Sequence, residues 1–375
     1  MLPRPLWFNP FPVKNLFLTS TRHNEGKTLV TLGLTAAFAK RVKNIGYIKP
    51  VGKGSVEFAG EKIDHDVALI KEACKIPSFV KDMGPVCYDG FPAAWVSPEG
   101  REAVLEKIKA GYARVAANRN MVVIEGTGNA AAGAAFGLSN AFMAKLLNAK
   151  VVLVASGGVG QPTDEVILNK SYYERAGVEV LGVVVNKAYP HEFERIDKWM
   201  RRVLDMMNIR LLGVIPFDKD LARATMLNLF ERFKGKALNQ EAGMDAPLGK
   251  IVLGAMSASR ALEELSGHVT LICPADREDV LVAALSAMYI SGRKDFTLAS
   301  VVITGAGKLS DIVLKMIRRT TIPVLQVEPD AYTVVADVHA ADFKILPTDG
   351  ERIARAIETV QNHVNPDLCL QGLSD

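Results

Sequence analysis

Short unbroken runs of Val, Ile and Leu, separated by longer stretches with helical spacing, constrain this chain more than any other feature. They lie at 15–19, 45–49, 121–125, 151–155, 181–185 and 211–215. Apolar runs that are continuous rather than alternating mark strands covered on both faces, as parallel strands are. The intervening stretches are long enough for crossover helices, the first over 28–41, so the pattern predicts a doubly wound, mostly parallel α/β sheet. The pattern lapses over 233–249, where Gly, Pro and polar residues collect. It resumes at 250–254, 269–273, 300–304, 323–327 and 343–346, with helices expected over 280–288 and 311–319. The expected organisation is a domain over 1–235, a linker over 236–249 and a smaller α/β domain over 250–375. A length of 375 residues agrees with about two domains.

Composition excludes several classes. Hydrophobic residues at 49% and charged residues at 23% are those of an ordinary globular chain, neither disordered nor collagen-like. The net charge of +4 comes from intermingled signs rather than a basic stripe, so no nucleic-acid partner is expected. The 4 cysteines are widely spaced and form no Cys/His ligand set, as expected of reduced thiols in a cytoplasmic protein. No apolar run reaches the roughly 18 residues of a membrane span, and the proline-rich start is no signal peptide.

The first strand runs into Ser20-Thr21-Arg22-His23-Asn24-Glu25-Gly26-Lys27-Thr28, and a helix follows. A loop of this kind aims backbone N–H groups at phosphate oxygens, and the helix dipole favours the negative charge. Lys27 would neutralise the outer phosphates and the Thr28 hydroxyl would ligate Mg²⁺. Thr21 stands where the full motif has its first Gly. The plainer alternative is a Gly turn with a Thr cap, but the flanking strand and helix favour a nucleotide site. Gly305-Ala306-Gly307-Lys308 lacks the loop length and reads as a Gly turn before a helix capped by Ser310.

A phosphate loop needs carboxylates to hold Mg²⁺. Glu125 ends its strand at the carboxyl edge of the sheet, where open α/β sheets bind ligands. Asp64 and Asp66 begin a helix, Asp64 reading as a plain N-cap and Asp66 as a metal ligand. Lys49 ends the second strand, either as a surface cation or as a contact for a phosphate or anionic substrate. Asn186 ends the fifth, where its amide has both a donor and an acceptor for an adenine edge, unless it merely forms a turn.

These pieces in this order resemble the dethiobiotin synthetase-like P-loop family, closest to the N-terminal region of long bacterial phosphotransacetylases. The carriers are Ser20-Thr21 with Gly26-Lys27-Thr28, Lys49-Pro50-Val51, Asp64 with Asp66, Glu125 to Asn129, Gly137 to Asn140, Gly157 to Gly160 with Asp164-Glu165, Val185-Asn186-Lys187 and Gly213 to Pro216. The second domain resembles the DRTGG domain through Gly254 to Ser257, Pro274 to Arg277, and Asp330 to Thr333. The resemblance implies phosphate contacts from Asn24, Glu25, Gly26, Lys27 and Thr28. It implies Mg²⁺ ligation by Thr28, Asp66 and Glu125, adenine contact by Asn186, and a loop at Pro216 closing over the base. It also implies ATP as the nucleotide, a catalytic role for Lys27 and Lys49, and a homodimer.

The departures bear on function. Asn24 replaces an acidic loop residue, Lys53 replaces a serine, and 91–97 lacks the segment that builds the dethiobiotin synthetase substrate pocket. The residues end about where an acyltransferase domain would begin. The expectation is therefore a nucleotide-responsive regulatory or metabolic module without phosphotransacetylase activity. The alternative is an ATP-dependent ligase that phosphorylates a carboxylate or carbamate, with a small carboxylate metabolite as partner. In the DRTGG-like segment Asp276 reads as a helix cap partnered by Asp279, or else as part of a regulatory ligand site. Arg22 matches, by spacing alone, a residue that reaches across a dimer in related ATPases.

Overall fold

The computed structural model describes residues 13–158, 160–239, 243–245, 247–288, 296–341 and 343–374. The expected segments at 1–12, Val159 of the Gly157–Gly160 motif, and 240–242 and 246 of the expected linker lie outside them. The chain divides into two compact units, the first running to Asp218 and resuming over Arg352–Asp375, the second spanning Lys219–Glu351.

In the first unit the expected apolar runs are strands: β1 (Lys14–Ser20), β2 (Ile45–Ile48), β3 (Met121–Glu125), β4 (Lys150–Ser156), β5 (Val180–Ala188) and β6 (Leu211–Pro216). They form one parallel sheet in the order β6-β5-β4-β1-β3-β2. β3 is buried from end to end, as its unbroken apolar sequence requires. The crossovers carry α1 (Lys27–Ala39), α2 (His65–Cys74), α3 (Pro98–Ala116), α4 (Asn140–Leu146), α5 (Gln161–Arg175) and α6 (Phe193–Met206). α3 starts where Ser97 accepts the Gly100 N–H, with Pro98 in the first turn, where its missing N–H costs nothing. After β3 the chain crosses β1 and adds strands on its other side. The carboxyl ends of β1, β3 and β4 therefore flank a topological switch point.

The second unit contains α7 (Met226–Phe233), β7 (Lys236–Ala237), β8 (Lys250–Leu253), α8 (Ala258–Glu264), β9 (Gly267–Pro274), α9 (Glu278–Ala287), β10 (Phe296–Thr304), α10 (Asp311–Ile317), β11 (Val324–Val327) and α11 (Ala331–Ala340). Its sheet runs β7-β11-β10-β9-β8, with β7 antiparallel to β11 and the others parallel. Leu271, Val301 and Val324 lie in its core.

Three expectations differ from this architecture. First, the 236–249 segment supplies edge strand β7 rather than only a connector, and the second unit starts at Lys219. Second, 343–346 is not a strand. There the Lys344 carbonyl accepts a hydrogen bond from the Asn228 side chain (3.0 Å). Third, Asp276 does not cap α9. Arg277 occupies the cap position and grips Asp279 with two hydrogen bonds of 2.9 and 2.8 Å. Ser310 does cap α10, accepting the Val313 N–H.

The last helices, α12 (Gly350–His363) and α13 (Pro366–Gly372), bring the chain back to the first unit. Val364 bridges to Gly213 of β6, Asn365 N–H donates to Leu212 O (3.0 Å), and Lys150 Nζ reaches Gly372 O (2.9 Å). Lys14 Nζ bonds Ser374 Oγ at 2.7 Å, joining the two ends of the unit. The approach is close at Gly33 of α1, where an added Cβ would lie 2.2 Å from Val360 Cβ. Gly to Ala in a helix ordinarily adds about 0.5–1 kcal/mol of stability. Gly33→Ala is expected to do the opposite and cost ~1–3 kcal/mol by overpacking. Urea unfolding measures the sign.

Candidate functional site

The site forms at the carboxyl edge of the first sheet. β1 ends at Ser20, and the chain turns through Asn24 (φ 65°) and Gly26 (φ 80°) before α1 begins at Lys27. Gly26 is required on two counts. Its backbone is left-handed, and a Cβ there would sit 2.1 Å from Asn186 Nδ2. The loop is held from outside by its neighbours. Asn186 Nδ2 donates to Glu25 O (2.8 Å), Lys187 Nζ donates to Asn24 O, and Ser156 donates to the Glu25 carboxylate. Ser156 and Asn186 are register partners at the ends of β4 and β5. Pro216 lies opposite Ala188 at the end of β6, close along the edge from Asn186.

Behind the loop stands Glu125, with no exposed surface. Its Oε1 takes an ion pair from Lys27 and a hydrogen bond of 3.0 Å from the Thr28 hydroxyl. Its Oε2 accepts from the Tyr47 hydroxyl at 2.8 Å. Burial first, and the Glu125 charge second, hold the Tyr47 hydroxyl well above its usual range, so it remains a donor.

Beside this cluster Lys49 is 4% exposed and meets two carboxylates. Its ammonium lies 2.8 Å from Asp64 Oδ1 and pairs with Asp66 Oδ2. Burial pushes the Lys49 pKa down, but Asp66, Asp64 and then Glu125 outweigh it and leave it raised. Asp64 also accepts the Asp66 N–H (2.8 Å) as the N-cap of α2, and the Lys53 N–H at 2.9 Å.

The structure thus brings Lys27, Thr28 and Glu125 together, and Lys49, Asp64 and Asp66 together. Asp66 pairs with the lysine. Among the described residues no three His, Cys, Asp or Glu side chains gather closely enough to hold a metal alone. Arg22 pairs with Glu165 of its own chain. Sequence reasoning missed Tyr47, whose signal is a lone hydroxyl in an otherwise apolar strand. It also assigned no role to Asn140, whose side chain braces the Glu125 loop by accepting the Thr127 N–H (3.1 Å) and donating to Asn129 O (2.6 Å). Asn169 Oδ1 likewise accepts the Ala130 N–H at 2.8 Å.

Residues 14–225 match the model of an AAA domain, which thereby covers more than half of the chain. The chain belongs to the AAA domain family. A DRTGG domain follows the AAA domain, matched over residues 228–341. Curated relatives include phosphate acetyltransferases of Nitratidesulfovibrio vulgaris, 24% identical over 94% of this chain and 50% of that protein. Those of Deinococcus radiodurans (26%, 94% and 50%) and Escherichia coli (22%, 94% and 52%) are similar. The chain spans about half the length of these relatives. Among solved structures, the MinC:MinD complex of Aquifex aeolicus aligns with 56% of this chain and 83% of that one, at 14% identity and a TM-score of 0.34. The CBS and DRTGG domains of Clostridium perfringens pyrophosphatase align with 41% of this chain and 71% of that one, at 16% identity and 0.28. None of the described helices of the AAA domain or its DRTGG companion is long and apolar enough to cross a membrane.

The buried ion cluster of the AAA domain predicts a pH response. The folded pKa of Lys49 lies above its unfolded value, so its stabilisation is complete below the unfolded pKa of about 10.4 and is lost as pH rises through the folded value. Lys49 should therefore add no pH dependence to wild-type stability between pH 7 and 9. Lys49→Met strands two buried carboxylates and is expected to cost roughly 3–5 kcal/mol near neutrality. Chemical denaturation at several pH values checks both outcomes.

Proposed function

We propose that the AAA domain binds MgATP and that the chain works as a nucleotide-responsive regulatory or metabolic module. The observation that carries this reading is the convergence of Lys27 and Thr28, the first two residues of α1, on the buried carboxylate of Glu125. Phosphates entering the loop would meet the backbone of 24–28 and draw Lys27 away from Glu125. The Thr28 hydroxyl and the Glu125 carboxylate already meet, which suits a hard cation that takes one or two protein oxygens and completes its shell with phosphates and water. Asp66 would complete that set by release from Lys49. A bound Mg²⁺ would neutralise charge on the outer phosphates. Asn186 and Pro216 border the base position.

The ligase alternative asks Lys49 to face a substrate anion. Here its ammonium pairs with Asp64 and Asp66, and even with Asp66 released to a cation it would keep Asp64, which weighs toward a module rather than a carboxylate-activating enzyme. The site residues handle phosphate and a cation rather than an acyl group, so the module is proposed without phosphotransacetylase activity. By the same family resemblance it is proposed to be a cytoplasmic homodimer, which solution mass measurement tests.

Titration calorimetry with MgATP tests the premise. Wild type is expected to bind, and Lys27→Ala to lose at least tenfold in affinity, the order expected for one charge-assisted phosphate contact. Equal affinity in the two proteins would falsify the site. Phosphate release that stays at its basal rate across a panel of small carboxylates supports the module, whereas strong stimulation by one of them supports the ligase.

A further inference from the structure

We propose that Tyr47 is a positioning residue for Glu125, holding its carboxylate in the orientation from which Glu125 and Thr28 take a nucleotide-bound divalent cation. This rests on the nucleotide reading above and adds to it a residue of β2 that touches neither nucleotide nor metal.

The sheet register creates the contact. Tyr47 lies opposite Val123 and Ile48 opposite Ile124 across the parallel β2–β3 pair. Side chains alternate along a strand, so Val123 and Glu125 share a face, and the long Tyr47 side chain spans the diagonal to Glu125. Both residues are fully buried, and Tyr47 stands among Ile45, Gly46 and Ile48. Phenylalanine would fill the same volume without a polar atom to satisfy. A buried hydroxyl is unfavourable there unless it is used, and this one is used on Oε2.

The three donors to Glu125 have different fates on ligand binding. Lys27 and Thr28 both hold Oε1, and both are the groups that a phosphate and a cation would recruit. Among the described residues, Tyr47 is the side chain that donates to Oε2. When Lys27 and Thr28 turn to the ligand, Tyr47 is the donor left to stop the carboxylate rotating about its last torsion, which is otherwise a broad, roughly two-fold rotor. Supporting groups of this kind typically contribute 10–100-fold to metal affinity.

The test is ATP binding by calorimetry, with Mg²⁺ and with EDTA, in wild type and Tyr47→Phe. The expected result is an unchanged affinity in EDTA and a gain from Mg²⁺ that is about tenfold smaller in the variant. In a Glu125→Gln background, Tyr47→Phe should change the Mg²⁺ gain no further, because the carboxylate it positions is gone. An undiminished Mg²⁺ gain in Tyr47→Phe overturns the proposal. So does an equal loss with and without Mg²⁺ accompanied by a lower melting temperature, which would make Tyr47 a packing residue only. If wild type binds no ATP in either condition, the nucleotide reading itself fails, and that outcome is distinct from both others.

Discussion

A carboxylate with no access to water cannot remain charged unless the protein brings cations and donors to it, and the site is organised around that demand at Glu125. It ends the fully buried apolar strand β3, so the sheet delivers it to the switch point whatever the loops do. α1 must then begin where Lys27 and Thr28 can reach it, which sets the length of the 20–26 loop and calls for the left-handed turn at Gly26. Asn186, Lys187 and Ser156 hold the outside of that loop from β5 and β4. Two strands on one side of β1 and the neighbouring β3 on the other thus converge on one small volume.

The adjacent Lys49 cluster obeys the same rule with the signs exchanged. One buried ammonium faces two buried carboxylates, and Asp64 is further steadied by two backbone N–H groups.

Much of this was legible in the sequence because the signals were local. The strand runs from 15–19 to 211–215 are continuous apolar stretches, and Gly26-Lys27-Thr28 sits at a strand-to-helix junction that any parallel α/β fold would display. Caps at Asp64 and Ser310 were readable for the same reason. What could not be read depends on pairing at long range. Tyr47 reaches Glu125 only through the β2–β3 register, and Lys49 finds Asp64 and Asp66 only once the antiparallel pair of short strands Ser55–Phe58 and Glu61–Asp64 folds back. At Asp276 a local pattern misled: Arg277 holds the cap position and pairs with Asp279. The apolar run at 343–346 also misled: it forms no strand, and its Lys344 carbonyl accepts from a side chain of α7.

The return of α12 and α13 to the first unit has a bearing on how the chain is made. The final helices lie against β5, β6 and α1, and Lys14 meets Ser374. During synthesis from the N-terminus, the six strands emerge and can pair long before the residues that cover this part of the sheet exist. The second unit must be translated in between, about 130 residues at roughly 5–20 residues per second, so the apolar surface waits about 7–26 seconds for its cover. A nascent chain of this design is exposed to aggregation over that interval, and chaperone dependence should concentrate there rather than in the finished fold.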